Sequence, residues 1–201
     1  MGEDGRVSEP QHDPDPHGPE ECPPRYDFEV HPGRMPAAEA RAAERRAERF
    51  RDVLGHYASG VTVVATVVDG EPVGMTCQSF MSVSLEPPLV AFLPTRESRT
   101  FAAIEETGIF CVSFLAAEQS EISDQLAGPG EDKFAGLEWR PTVGTGSPVL
   151  DGAVGHVDCR LDAVHEAGDH VIVVGRVVGL DAGDERAPLL YHRGRYVTTR
   201  D

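Results

Sequence analysis

Two pairs of β-branched runs meet at two-residue turns, and nothing else in this chain restricts its fold so strongly. GVTVVATVV (60 to 68) and PVGMTCQSFMSVSL (72 to 85) flank Asp69-Gly70, a dipeptide that closes tight antiparallel hairpins. AVGHVDCRLDAVHEA (153 to 167) and HVIVVGRVVGL (170 to 180) flank Gly168-Asp169 in the same way. LVAFL (89 to 93) after Pro87-Pro88, IFCVSFL (109 to 115) and the stretch at Arg195-Tyr196-Val197 add shorter strands. Helical patterns are few. They cover 36 to 54, rich in Ala, Glu and Arg with Gly55 as a stop; 99 to 107, with Ser98 as N-cap and Gly108 beyond its end; and 118 to 127. Residues 128 to 136 read as a loop. Strands and helices do not alternate regularly, which argues against a doubly wound sheet. The expected fold is mainly β, a closed or nearly closed antiparallel barrel with a few short flanking helices.

Residues 1–35 stand apart from this pattern. SEPQHDPDPHGPEECPP (8 to 24) is dense in Pro and acid and nearly empty of aliphatic side chains, so burial cannot offset the entropy of ordering it. The expectation is a disordered acidic tail, with 36–201 as a single domain. Lys and Arg number 18 against 34 Asp and Glu, a formal net charge of −16. Such a surface disfavours nucleic acid and anionic membranes as partners. The four Cys residues show no CxxC pair or zinc spacing, and no signal sequence or membrane-length apolar run is present, so a cytoplasmic protein with reduced thiols and no metal is expected.

Chemistry-bearing residues gather in a few places. Thr76, Cys77, Gln78, Ser79, Ser82 and Ser84 crowd one stretch, with no charge between Glu71 and Glu86. Alternation alone leaves open a face in water or a wall against a ligand. Ser98, Arg99 and Thr100 stand at a helix start, where capping explains Ser98 and unpaired N–H groups also favour an anion. Lys133, the only lysine, sits in a Gly-rich loop beside Phe134, an ordinary place for a lysine. His170 follows the Gly168-Asp169 turn and either starts a strand or faces a substrate. No GxGxxG, P-loop, metal cluster or Ser/His/Asp order emerges, so any nucleotide is held by something other than a Rossmann or Walker site.

GVTVV, GMTCQSFMSVSLEPPLV, SRTF, EDKFAG, GSPVLDGAVGHVDC and AGDHVIVVGRV, taken in order from about Phe50 to Tyr196, resemble the short-chain flavin reductases. These are the reductase components of two-component flavin-dependent monooxygenases. The resemblance implies an FMN-binding split barrel, usually a homodimer, that takes FMN or FAD at the subunit interface and NADH or NADPH as hydride donor. It places Thr76, Cys77, Gln78 and Ser79 along the flavin, with Ser82, Val83 and Ser84 contacting it. Ser98 and Thr100 would receive its phosphate, Lys133 would add charge, and Phe134 would pack beside it. His170, the one side chain assigned to catalysis, and Tyr196 would face the nicotinamide. Hydride passes from nicotinamide C4 to flavin N5, so no side-chain nucleophile is required. Reduced flavin then passes to a separate monooxygenase. Cys77-Gln78 departs from the small residue or Asn that relatives commonly carry and bears on flavin preference. The acidic surface favours NADH. The alternatives are a non-catalytic flavin carrier or sensor, and a pyridoxamine-phosphate-oxidase-like flavoenzyme.

Overall fold

The computed structural model describes residues 37–130 and 132–199, so the expectation for the 1–35 tail lies outside the described residues. The chain divides between Glu44 and Arg45 into two units; every strand, α2 and α3 belong to the second. In chain order the elements begin with α1 (Ala37–Gly55), β1 (Ser59–Gly60), β2 (Thr62–Val68), β3 (Glu71–Cys77), β4 (Met81–Leu85), β5 (Pro88–Phe92), α2 (Arg99–Thr107) and β6 (Ile109–Phe114). They continue with α3 (Ser120–Ala127), β7 (Trp139–Pro141), β8 (Pro148–Leu150), β9 (Gly155–Ala167), β10 (His170–Ala182), β11 (Leu190–His192) and β12 (Arg195–Val197).

The Asp69-Gly70 turn forms as its residues require, with φ of 51° and 87° at the two central positions. That left-handed pair matches the twist of the antiparallel β2–β3 hairpin it closes. Beyond Cys77 the chain departs from expectation, because PVGMTCQSFMSVSL is two strands rather than one. β3 pairs with β2, whereas β4 pairs with β5, and the seven-stranded sheet runs β3-β2-β6-β9-β10-β5-β4. Consecutive strands thus occupy opposite edges. In a flat sheet those edges would lie about 29 Å apart, at ~4.8 Å per strand. The four steps from Cys77 to Met81 span at most about 14 Å. The sheet must therefore roll until its edges approach, which makes it a barrel. Ser79 fastens the crossing: its Oγ accepts from Leu93 N at 2.9 Å and donates to Leu93 O at 3.3 Å, just past β5.

β2 is buried on both faces, which is why its sequence is a continuous β-branched run. Val64 faces a cluster with Phe92, Ile104, Phe110 and Val173, while Val63 and Ala65 face one with Leu126, Phe134, Leu150 and Leu189. α2 seals the first cluster through Phe101 and Ile104. Its ends match their sequence: Ser98 Oγ accepts from Phe101 N at 3.3 Å, and Gly108, at φ 68°, donates to Ile104 O at 2.8 Å. α3 covers the second cluster through Leu126. Two small sheets, β1-β11-β12 and β7-β8, complete the fold. No helix among the described residues is long and apolar enough to cross a membrane.

Candidate active site

The crossing between β3 and β4 borders a cleft of about 1520 Å³, larger than the ~300–1,000 Å³ usual for one small ligand. Thr76, Cys77, Gln78 and Ser79 all line it. Their hydrogen bonds fix the wall. Thr76 Oγ1 donates to Ser123 O at 2.6 Å, Thr62 Oγ1 donates to Cys77 O at 2.8 Å, and Cys77 Sγ lies 3.2 Å from Ser79 Oγ. Cys77 itself is buried, so its thiol serves the wall's packing as well as its surface. Phe134 also lines the cleft but is only 5 % exposed, its ring against Gly74. A Cβ on Gly74 would lie 2.9 Å from that ring, so glycine here lets the 132–136 loop close onto β3.

Cations collect where this loop meets α2. The Arg99 guanidinium donates to Gly130 O, and Lys133 Nζ donates to Leu126 O at 3.1 Å. Gln125 Nε2 holds the loop by donating to Lys133 O and Ala135 O at 2.9 and 3.0 Å. Burial first, then the Arg99 charge, pulls the Lys133 ammonium below the ordinary lysine range. Among the described residues, neither cation has a carboxylate within 4.0 Å. Two like charges this close repel one another, so an anion between them would be stabilised. Ser98 and Thr100 line the same region. Thr100 is 5 % exposed, and Ser98 Oγ is engaged by Phe101 N and Met75 Sδ, so the first-turn N–H groups of α2 are the better donors.

His170 reaches the cleft because the β9–β10 tip is pinned. Arg96 N donates to Asp169 O at 3.2 Å, its Nε donates to Gly168 O at 3.1 Å, and its guanidinium pairs with Glu166. Val171 N bonds Pro94 O at 3.0 Å. His170 Nδ1 lies 2.7 Å from Asp169 Oδ1, a bond that draws the Asp169 carboxyl below its usual range and leaves Nε2 as the other functional nitrogen.

Nine of the thirteen residues singled out in the sequence thus share one cleft. Ser82, Val83 and Ser84 do not line it. They lie on the edge strand β4, where a bulge between Ser82 and Ser84 leaves Val83 52 % exposed. Tyr196 is also elsewhere, its ring edge-on to Tyr191 and its hydroxyl donating to Asp124 Oδ1 at 2.6 Å. Burial and Asp124 raise its pKa. Sequence reasoning gave Arg99 no role, although its place at a helix start was visible. Its meeting with Lys133 depends on tertiary structure. Phe50 and Leu54 of α1 also border the cleft and carried no sequence signal for it.

The cleft combines a wall of small hydroxyls, a cation cluster at a helix start with no carboxylate within 4.0 Å among the described residues, and an imidazole. That donor set fits a planar heterocycle bearing a phosphate. Comparisons with known proteins identify the family. A family model, the flavin reductase-like domain, matches residues 54–200. The reductase subunit HsaB of a flavin-dependent monooxygenase from Rhodococcus jostii is 51 % identical over 148 residues, 74 % of this chain and 75 % of that protein. The solved structure of nitrilotriacetate monooxygenase component B from Mycobacterium thermoresistibile matches with a TM-score of 0.75 and 46 % identity, covering 80 % of this chain and 89 % of the other. The NADH:FAD oxidoreductase SgcE6 of Streptomyces globisporus, in complex with NAD and FAD fragments, matches with a TM-score of 0.73 and 31 % identity, covering 84 % and 98 %.

Proposed function

The chain belongs to the flavin reductase-like domain family, and we propose that it is an NAD(P)H-dependent flavin reductase supplying reduced FMN or FAD to a partner monooxygenase. The observation that carries this reading is the Arg99–Lys133 pair, which lacks a carboxylate among the described residues and lies beside a hydroxyl-lined wall in one cleft. Bound there, a flavin supplies the redox chemistry by accepting hydride from the nicotinamide.

The chain's own residues hold, orient and shield. Arg99, Lys133 and the first-turn N–H groups of α2 would hold the phosphate. Thr76, Cys77, Gln78 and Ser79 line the ring system, and Phe134 stiffens the loop behind the phosphate. His170 stands at the nicotinamide side, its Nδ1 engaged by Asp169. By holding flavin and nicotinamide together in one cleft, these residues would contribute to rate through proximity. NADH is the expected donor, because Glu97 and Asp169 also line the cleft and oppose a 2′-phosphate.

The reductase acts as a cytoplasmic homodimer. Ser82, Val83 and Ser84 lie outside their own chain's cleft, on an edge strand that exposes Met81, Val83 and Leu85. A second copy covering that strand brings these residues to a flavin shared across the interface.

Steady-state oxidation of NADH and NADPH, each with FMN and with FAD, tests the assignment. Nicotinamide oxidation is expected only when flavin is present. Flavin binding without turnover would identify a carrier instead, and absence of both would end the reading.

A further inference from the structure

We propose that Tyr196, which lies outside the cleft, is a positioning residue for the flavin and acts through α3. This role rests on the flavin reductase reading and adds to it a side chain set back from the ligand. α3 cannot place itself. Its eight residues are fewer than the ~12–15 an isolated helix needs in water, and two of them, Ser123 and Leu126, are buried. The side chain of its N-cap residue, Gln119, accepts from Ala116 N and donates to Asp151 O instead of capping the first turn. Leu126 and Ile122 pack α3 onto the second cluster, which chooses its inward face. Hydrogen bonds must then hold it in register.

Tyr196 supplies those bonds from β12. Its hydroxyl donates to Asp124 Oδ1 at 2.6 Å and lies 2.9 Å from the Oγ of Ser123, a residue only 1 % exposed. A carboxylate only accepts, so the single phenol proton goes to Asp124 and the Ser123 hydroxyl donates in return. The tyrosine is itself fixed, its ring edge-on to Tyr191 with centroids 5.4 Å apart and its strand paired to β11. From α3 the constraint reaches both halves of the cleft. Ser123 O accepts from Thr76 Oγ1 at 2.6 Å, on the wall assigned to the ring. Less than a turn further on, Leu126 O accepts from Lys133 Nζ at 3.1 Å, and Gln125 Nε2 donates to Lys133 O and Ala135 O in the loop assigned to the phosphate. Ser123 therefore meets Tyr196 with its side chain and Thr76 with its carbonyl. A shift of α3 moves the acceptors of Thr76 and Lys133 together, and the wall and the cation lose their spacing at once.

FMN titrated calorimetrically into the full-length protein is the test. Tyr196→Phe keeps the ring against Tyr191 and removes the hydroxyl; it is expected to weaken FMN about tenfold, the scale of one lost charge-assisted hydrogen bond, with the KM for NADH as in wild type. Asp124→Ala, on the exposed side of the helix, is expected to reproduce the loss, and Asp124→Asn, whose amide oxygen still accepts, to restore most of the affinity. In a Lys133→Ala background Tyr196→Phe is expected to cost only about threefold, because both residues act through one helix. General destabilisation produces neither the rescue by Asn nor this non-additivity. FMN affinity unchanged in both Tyr196→Phe and Asp124→Ala overturns the proposal, as does a loss that persists undiminished without Lys133. A raised KM for NADH with unchanged FMN affinity also overturns it and returns Tyr196 to the nicotinamide. Failure of wild type to bind FMN at all would instead overturn the underlying flavin reductase reading.

Discussion

Lys133 shows how one residue acquires a function from its surroundings. On an exposed loop its ammonium would be unremarkable, but Gln125 holds the backbone around it and Leu126 O holds its Nζ near Arg99. Removing the charge by Lys133→Ala is expected to cost flavin binding about 1.5 to 3 kcal/mol, the value of a charge-assisted hydrogen bond. An unchanged FMN dissociation constant would remove Lys133 from the phosphate site. The pH dependence has a definite sign. The Lys133 pKa is lowered in the free protein, so its charge is lost as pH rises through that lowered value, before an ordinary lysine near ~10.4 deprotonates. FMN affinity should weaken over that alkaline range, and Lys133→Arg, charged throughout, should flatten the profile. Gly74 is the complementary case. An added methyl meets the Phe134 ring at 2.9 Å and Val64 O at 3.0 Å, and Phe134 is packed too tightly to yield. Gly74→Ala is expected to destabilise the protein by about 1 to 3 kcal/mol, read as a lowered thermal midpoint. It should also weaken FMN, because Phe134 adjoins Lys133; a variant with wild-type midpoint and affinity would show that the loop yields freely.

At the scale of elements, local chemistry was legible where a short segment decides its own shape. The Asp69-Gly70 and Gly168-Asp169 turns, the Ser98 cap and the Gly108 stop all stand where their residues indicate. The break at Gln78–Phe80 was hard to read, because no Pro or Gly marks it and Met75, Cys77, Met81, Val83 and Leu85 keep one phase across it, with only Ser79 and Phe80 out of step. Only pairing with β2 on one side and β5 on the other separates β3 from β4. β1, β7, β8 and β11 have two or three residues each, too few to show a period. The site divides in the same way: residues near the crossing and the α2 start share a cleft, whereas Ser82, Val83, Ser84 and Tyr196, assigned through resemblance, lie outside it. For β4 the physical reason is its edge position. Met81, Val83 and Leu85 are 56, 52 and 89 % exposed, an apolar edge that a stable protein covers. Val83→Glu is expected to shift the proposed homodimer to monomer in sedimentation velocity and to weaken FMN binding with it. A variant that stays dimeric and binds FMN as wild type would put the interface on another surface.

At the scale of the whole molecule, the strands that close the barrel all lie beyond residue 61 among the described residues. Its seven strands and both buried clusters lie between Val61 and Leu189, and the family match begins only at residue 54. The cleft extends that boundary by one turn of helix, through Phe50 and Leu54 of α1. Residues 36–201 should therefore make up the complete reductase domain, α1 included. A protein lacking residues 1–35 keeps that helix and loses only a segment too poor in aliphatic side chains to form a core of its own. Its thermal midpoint, its FMN dissociation constant and its flavin-dependent NADH oxidation are expected to match those of the full chain. A further truncation to residue 56 removes Phe50 and Leu54 and should weaken flavin binding while leaving the barrel folded by circular dichroism. If the shorter deletion alone lowers activity, the tail contributes to the reaction. If both truncations bind flavin alike, α1 is dispensable to the cleft and the domain begins where the family match does.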